Sequence, residues 1–293
     1  MLTRAALGLV WLVRLLPLVL LAPLGRGLGI LLYLLGRERR KVVLTNLGLC
    51  FPQWSAAQRR HIARLHFQAF GRSLFEHGIL WWSSQERVRR LVRVEGIEHW
   101  QAVAGRPVIF LAPHFIGLDM GGIRIGAEHR VVSVYSRQKD SSFDEVLYHG
   151  RTRFVMPELY SRQEGVRSVI KALRRGLPFY YLPDMDFGER DSIFLPFFGV
   201  PTATITGLSR IARLAGAAVV PAVTRQLPGA GGCVLTFFPA WRDFPSDDLE
   251  ADARRMNAFI EERVREMPEQ YFWAHKRFKT RPPGEPNPYK KKP

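Results

Sequence analysis

Short apolar runs and longer amphipathic runs take turns from about residue 108 onward, and this alternation restricts the fold more than any other feature of the chain. Residues 108–112, 131–135, 179–182, 217–223 and 234–238 are apolar stretches bounded by Gly, Pro or charged residues, which reads as strands. Helical patterns fill the gaps at 118–127, 143–153, 162–175, 204–215 and 249–266. Strands that alternate with helices in this way predict an α/β sandwich around a mixed, mostly parallel sheet flanked by helices. No internal repeat stands out.

The first predicted strand opens onto chemistry. Pro113 and His114 follow it, and Asp119 lies five residues beyond the histidine. On one straight helix that spacing would set the two side chains roughly 140° apart, so they meet only if the chain turns between them. Pro113 and Gly117 supply the turn. The expected layout is strand, bend carrying His114, then Asp119 in the first turn of a helix, where the positive helix end favours its charge. A histidine at a strand's carboxyl end with a carboxylate beside it is a candidate general base facing a cleft; a satisfied strand-end histidine beside an unrelated capping Asp has the same spacing.

The chain of 293 residues is 47% hydrophobic and carries a formal charge of +17. Such a length buries a large core, and such a charge calls for an anionic partner: nucleic acid, anionic lipid or an acidic protein. Nucleic acid is disfavoured, because no aromatic residues interleave with the basic clusters and no finger or helix-turn-helix is evident. Cys50 and Cys233 stand far apart without metal-ligand spacing, which argues against a disulfide framework or zinc site and for a reducing compartment.

The amino terminus favours lipid. Residues 5–35 are almost wholly apolar, broken by Arg14 and Arg26, with Pro17 and Pro23 along the way. A stretch of that length crosses a hydrocarbon core of about 30 Å; one arginine costs about 2.5–3.5 kcal/mol there, which many leucines offset. Spanning and lying in the interface both remain open. No small-residue cleavage site follows, so a membrane anchor over 1–36 is expected rather than a removed signal. Arg37, Arg39, Arg40 and Lys41 mark its cytoplasmic side.

Residues 56–82 form an amphipathic helical pattern with a candidate break near Gly71; its His61, His66 and His77 lack the spacing of a metal site. Trp81 and Trp82 suit either a membrane interface or the core. A second polar knot, Asp184 and Asp186 in Pro183-Asp184-Met185-Asp186-Phe187-Gly188, follows another strand and suits a sugar, a basic residue or a plain turn better than a metal, for want of a third oxygen ligand. The apolar run 194–199, with Phe197 and Phe198, is a candidate acyl-chain wall or core. Arg162, Arg167, Lys171, Arg174 and Arg175 line one side of a predicted helix, a solvated face or a docking surface for an acidic carrier or lipid phosphates, and Arg87, Arg89, Arg90 and Arg93 allow the same two readings. Residues 281–293, rich in proline and lysine, read as a disordered tail, which leaves 37–280 as the catalytic domain.

There is no Gly-x-Ser-x-Gly elbow, and neither cysteine sits in a recognisable catalytic context. A histidine base without a protein nucleophile points to direct attack by a substrate hydroxyl on an activated acyl group.

Five blocks carry a resemblance: Asn46-Leu47-Gly48-Leu49-Cys50-Phe51-Pro52, the stretch from His114 to Asp119, Pro183 to Gly188, Pro196-Phe197-Phe198-Gly199, and the run from Pro268 through Trp273-Ala274-His275-Lys276-Arg277 to Pro282. In order and over nearly the whole chain they resemble the bacterial lipid A late acyltransferases. The resemblance implies a glycerolipid-acyltransferase-like α/β sandwich with an N-terminal membrane helix in the inner membrane of a Gram-negative bacterium. It implies acyl carrier protein as donor, a Kdo-modified lipid A precursor as acceptor through a 3-hydroxyacyl hydroxyl, and no cofactor or metal. Carried over, His114 matches the catalytic histidine and Asp119 its acidic partner. Arg151 aligns with an arginine beside the site, although Val155-Met156 departs from the glycine that often follows. Asp184, Asp186, Phe197, Phe198, Lys276 and Arg277 fall in the matching blocks as candidate substrate-binding residues. The expected mechanism has Asp119 accepting the second ring N–H of His114, with Arg151 or backbone N–H groups around Gly121 and Gly122 as oxyanion donors. The glycerophospholipid and ornithine-lipid relatives of this chemistry usually add a Glu-Gly-Thr block, absent here. A non-catalytic, membrane-anchored lipid-binding protein is the reading from another class.

Overall fold

The computed structural model describes residues 2–155, 157–161, 165–190 and 192–290. Seven strands build one sheet: β1 (Val92–Glu95), β2 (Val108–Leu111), β3 (Val132–Tyr135), β4 (Glu158–Ser161), β5 (Phe179–Tyr181), β8 (Ala218–Gln226) and β9 (Cys233–Phe237), in the order β1-β9-β8-β2-β5-β3-β4. Only the β8–β9 pair is antiparallel, so the sheet is mixed and mostly parallel, flanked by helices as expected. All four residues of the central β2 are buried, which is why its sequence is continuously apolar rather than alternating.

The remaining strands, β6 (Ser192–Phe197) and β7 (Val200–Ile205), form a separate antiparallel ribbon. Phe198 and Gly199 close it with φ of 52° and 75°, a two-residue turn whose hand matches the twist of the ribbon. The helix expected from 204 therefore starts later, as α10 (Gly207–Ala215), because Thr204 and Ile205 complete β7. Strands β1 and β4 and this ribbon have no counterpart among the expected elements. They are short or contain charges and proline, which blurs their alternation.

Helix α4 (Ala56–Trp82) is unbroken and opens with a full capping box at Ser55 and Gln58. Gly71 is not a break but a contact point. Helices α1 (Leu2–Val13) and α2 (Leu18–Leu35) pack on α4, and Gly25 and Gly29 of α2 face Gly71 so closely that a Cβ on Gly29 would overlap the Phe67 carbonyl oxygen. Small residues four apart let two helix backbones approach in this way. The outer face of the pair is bare: Leu9, Trp11, Leu12, Leu15, Val19, Leu20, Leu24, Leu31, Leu34 and Leu35 are all exposed. Gly29→Ala is expected to cost about 1–3 kcal/mol as an overpacking defect and to lower the melting temperature of the detergent-solubilised protein. Gly27→Ala, which meets open space, should not. Equal melting temperatures for the two would mean that the helices part without penalty.

The terminal stretch also differs from expectation. Up to Lys290 it is packed rather than disordered: the Tyr289 hydroxyl accepts from Phe278 N at 3.1 Å and donates to Asn46 Oδ1 at 2.5 Å, and Arg281 Nη1 donates to Pro201 O at 2.5 Å. A half-buried aromatic packed against the core and two carbonyl partners outweigh the proline-rich composition. Lys291 and Lys292 of the expected basic end, like Met156 and Arg162, lie outside the described residues.

Candidate active site

Strands β2 and β5 run parallel as neighbours, with Leu111 opposite Tyr181. Each is followed by the same step: Ala112-Pro113-His114 after β2, Leu182-Pro183-Asp184 after β5. Equal steps from paired residues bring His114 and Asp184 side by side at the carboxyl end of the sheet, where α/β proteins place their ligands. His114 Nδ1 lies 2.7 Å from Asp184 Oδ1, and the His114 backbone N–H donates to both oxygens of that carboxylate at 3.0 and 3.1 Å. The Asp184 side chain is 1% exposed and that of His114 17%. A carboxylate only accepts, so Nδ1 carries the proton and Nε2 presents its lone pair. Burial works to raise the Asp184 carboxyl, but the electrostatic attraction of the adjoining His114 and the hydrogen bonds it donates hold it below the usual carboxylate range. The carboxyl-terminal block closes over this pair. Ile116 N donates to Gln270 O and Phe272 N to His114 O, both at 2.8 Å, and Phe115 meets Tyr271 edge to face.

This overturns the expected pairing of His114 with Asp119. Helix α7 (Leu118–Gly126) does begin after Gly117 with Asp119 in its first turn. Its carboxylate, however, accepts from Arg151 Nη2 at 2.7 and 3.0 Å and sits 3.3 Å from His77 Nε2. The turn at Gly117, pressed against Thr224, aims α7 so that its first turn packs toward α4 and α8 (Ser141–Thr152). Burial pushes the Asp119 carboxyl up, but Arg151 and His77 win and hold it far below the usual range. Arg151 is thus placed by Asp119. The Gly121 N–H bonds to Gly117 O at 3.1 Å inside the helix, which removes it from the candidate oxyanion donors.

The other candidate residues divide. Asp186 is occupied structurally: it accepts from Gly188 N, Thr280 N and Thr280 Oγ1 between 2.7 and 3.0 Å, tying the carboxyl-terminal block to the sheet. Arg277 is buried, donates to Ala203 O at 2.7 Å and covers the Phe197 ring at 5.6 Å, so it stabilises the site from below rather than reaching outward. Lys276 is exposed, with its ammonium 5.9 Å from the Tyr289 ring. Phe197 is wholly buried core, its ring tilted against those of Tyr271 and Phe278. Phe198 is half-buried and lines a cavity of about 470 Å³ with Phe51, Trp54, Glu261 and Arg265. Tyr271 and His77 enter the site's surroundings without having been singled out for it. The repeated strand, residue, proline, polar step was the signal that could have paired Asp184 with His114.

Two histidines make the closing block sensitive to acid. Burial pushes His66 down to about 4, and burial followed by the charges of His114 and Arg277 does the same to His275. His66 Nδ1 lies 3.1 Å from Glu269 O, and His275 Nε2 accepts from Asp186 N at 3.0 Å. Both are neutral when folded and protonate more readily when unfolded, so the unfolded chain binds more protons between about 4 and the usual histidine value near 6.5. Stability therefore falls as pH drops through that window. The melting temperature should decline between about pH 6.5 and 4, and His66→Gln should flatten the slope; an unchanged slope would refute the assignment.

The family model for bacterial lipid A biosynthesis acyltransferase matches residues 1–280. The lipid A biosynthesis lauroyltransferase of Escherichia coli is 37% identical over 291 residues, 98% of this chain and 94% of that protein. The palmitoleoyltransferase of the same organism is 33% identical over the same shares. Its myristoyltransferase is 33% identical over 93% of this chain and 84% of its own. With a matching family model over nearly its full length and the histidine and acidic groups above gathered at one end of its sheet, the chain belongs to the bacterial lipid A biosynthesis acyltransferases.

Proposed function

We propose that this acyltransferase moves a fatty acyl chain from acyl carrier protein to a 3-hydroxyacyl hydroxyl of a Kdo-modified lipid A precursor, at the cytoplasmic side of the inner membrane. The observation that carries the mechanism is the buried Asp184 carboxylate on His114 Nδ1, which leaves Nε2 as base. His114 takes the acceptor's hydroxyl proton as the oxygen attacks the thioester carbonyl. The C–O bond forms, the C–S bond breaks, and the proton passes from His114 to the departing thiolate. Asp184 fixes the tautomer and stabilises the imidazolium. Arg151, held by Asp119 with its side chain 29% exposed, is the candidate donor to the oxyanion, a contribution typically of about 3–4 kcal/mol.

The exposed apolar face of α1 and α2 supports attachment to the membrane, since a contiguous patch of that kind is rarely left to water. Helix α9 (Gly165–Arg174) leads back to β5, so its amino end lies toward the catalytic end of the sheet. It presents exposed Arg167 and Lys171, which suits an acidic carrier. Arg174 and Arg175 are less suited, being engaged with Leu214 O and Glu158. The test is incubation of the full-length protein with a panel of acylated carrier proteins and a tetra-acylated lipid A precursor, read by mass spectrometry. A mass gain equal to one acyl chain is expected, with slower turnover as salt rises. A gain from acyl coenzyme A alone, or on glycerophospholipid alone, would refute the reading.

A further inference from the structure

Where α1 turns into α2, three helix carboxyl ends converge. Helix α1 runs alongside α8: Thr3 Oγ1 donates to Asp140 Oδ2 at 2.8 Å and Arg4 Nε to Ser142 Oγ at 3.4 Å near their amino ends. Their carboxyl ends accordingly finish together, beside the end of α4. Three arginines gather there. Arg87, on α5 (Gln85–Leu91), donates to Leu16 O at 2.8 Å, and Arg153, just past α8, donates to Leu80 O at 2.9 Å and to Ser83 O. Arg14 lies in the turn itself, its Cβ about 3.0 Å from where a side chain on Gly78 would begin.

Backbone carbonyls at the end of α4 and in the turn after α1 engage two of these side chains but not the third. Three carboxyl ends together offer about one and a half negative charges, half of what three guanidiniums carry. Among the described residues no carboxylate pairs with any of the three. Glu86 pairs with Arg90 at 3.3 Å, and Asp140 stands at the far end of α8 with Thr3. The Arg14 side chain makes no hydrogen bond or ion pair among the described residues, and its Nε is buried, as is the unpartnered Oγ of Ser83. Burial, then repulsion by Arg14, pushes the Arg87 and Arg153 guanidiniums down, as expected of cations crowded without a counterion. The surroundings are lipid-like. The Trp11 ring lies 4.9 Å from the Arg14 guanidinium, exposed Leu9 and Leu12 precede the turn, exposed Leu15 lies in it, and exposed Val19, Leu20 and Leu24 follow it.

We propose that Arg14, Arg87 and Arg153 form a binding site for the phosphate of an anionic membrane phospholipid, whose acyl chains lie along the bare face of α1 and α2. A phosphate supplies three acceptor oxygens and the missing negative charge, and an interfacial tryptophan beside a basic residue marks headgroup depth. The site rests on the reading that this face enters lipid, and the test separates the two ideas.

Full-length protein is floated with vesicles of phosphatidylcholine alone or with about one-fifth phosphatidylglycerol. Wild type should bind both and prefer the anionic vesicles. Arg14→Gln should lose that preference roughly fivefold, the Boltzmann weight of one basic residue at an anionic surface, while binding phosphatidylcholine as before; Arg14→Lys should retain it. Arg106→Gln, an exposed cation just before β2 and outside this cluster, controls for overall charge. A preference that survives in Arg14→Gln, or falls as much in Arg106→Gln, overturns the site while leaving membrane attachment standing. Failure of wild type to bind either vesicle overturns both. Inorganic phosphate should not displace the protein from the anionic vesicles; if it abolishes the preference, the site takes free anions and the lipid assignment falls. Native mass spectrometry of the wild-type protein given equal amounts of the two lipids needs no variant: phosphatidylglycerol should be retained selectively, and equal retention refutes the proposal.

Discussion

Replacing His114 with Ala should lower kcat by roughly two to four orders of magnitude, the range expected when a positioned general base is lost. The folded state should survive, because the ring is partly exposed and the backbone bonds of residue 114 to Asp184 and Phe272 do not need the imidazole. Substrate binding should change little, since the ring acts on the proton rather than on the bulk of either substrate. A purified, folded variant with near-normal turnover would remove His114 from the mechanism, and with it the direct-attack scheme.

Asp184→Asn should be nearly as severe, with a loss of roughly three to four orders of magnitude of the kind seen when a histidine base is held in the wrong tautomer. The substitution keeps volume and buried shape. It replaces two acceptor oxygens by one oxygen and one NH₂ group, yet the native carboxylate accepts both the ring Nδ1–H and the backbone N–H of His114. If the amide nitrogen turns toward Nδ1, the proton moves to Nε2 and the base is lost. Asp119→Asn is the informative contrast. It weakens the hold on Arg151 and His77 without touching the His114 ring, so its kcat should fall by one to two orders of magnitude fewer than that of Asp184→Asn. Should the two folded variants fall equally, or Asp119→Asn fall further, the base is oriented by Asp119 in the working enzyme and the geometry at Asp184 is structural.

Much of the architecture was legible from residue order. The five expected strands all form, shifted by at most a few residues at their ends, and the helix expected over 249–266 is α11 (Leu249–Glu266), capped by Asp248. What escaped was short or mixed in character. The ribbon of β6 and β7 carries Pro196 and Pro201, residues that argue against strands unless the strand is an edge, and here both lie in a two-stranded ribbon that is all edge. The tail escaped because composition measures what a segment cannot bury by itself, whereas Tyr289 is held by partners more than ten residues away, Asn46 and Phe278.

By itself the sequence determined the strand–helix alternation, the apolar amino terminus, the basic excess and the candidate groups His114, Asp119 and Asp184, because each is a property of composition or of spacing within about ten residues. Only the tertiary structure decided which carboxylate hydrogen-bonds the histidine ring. His114 and Asp184 are separated by 70 positions and meet because two parallel strands lie in register and leave the sheet by equal steps. Asp119 is separated from the same histidine by five residues, and the turn between them sends it to Arg151 and His77 instead. Proximity along the chain is a local constraint that one glycine turn can redirect, whereas strand register is set by a whole ladder of hydrogen bonds and by the burial of every side chain along it.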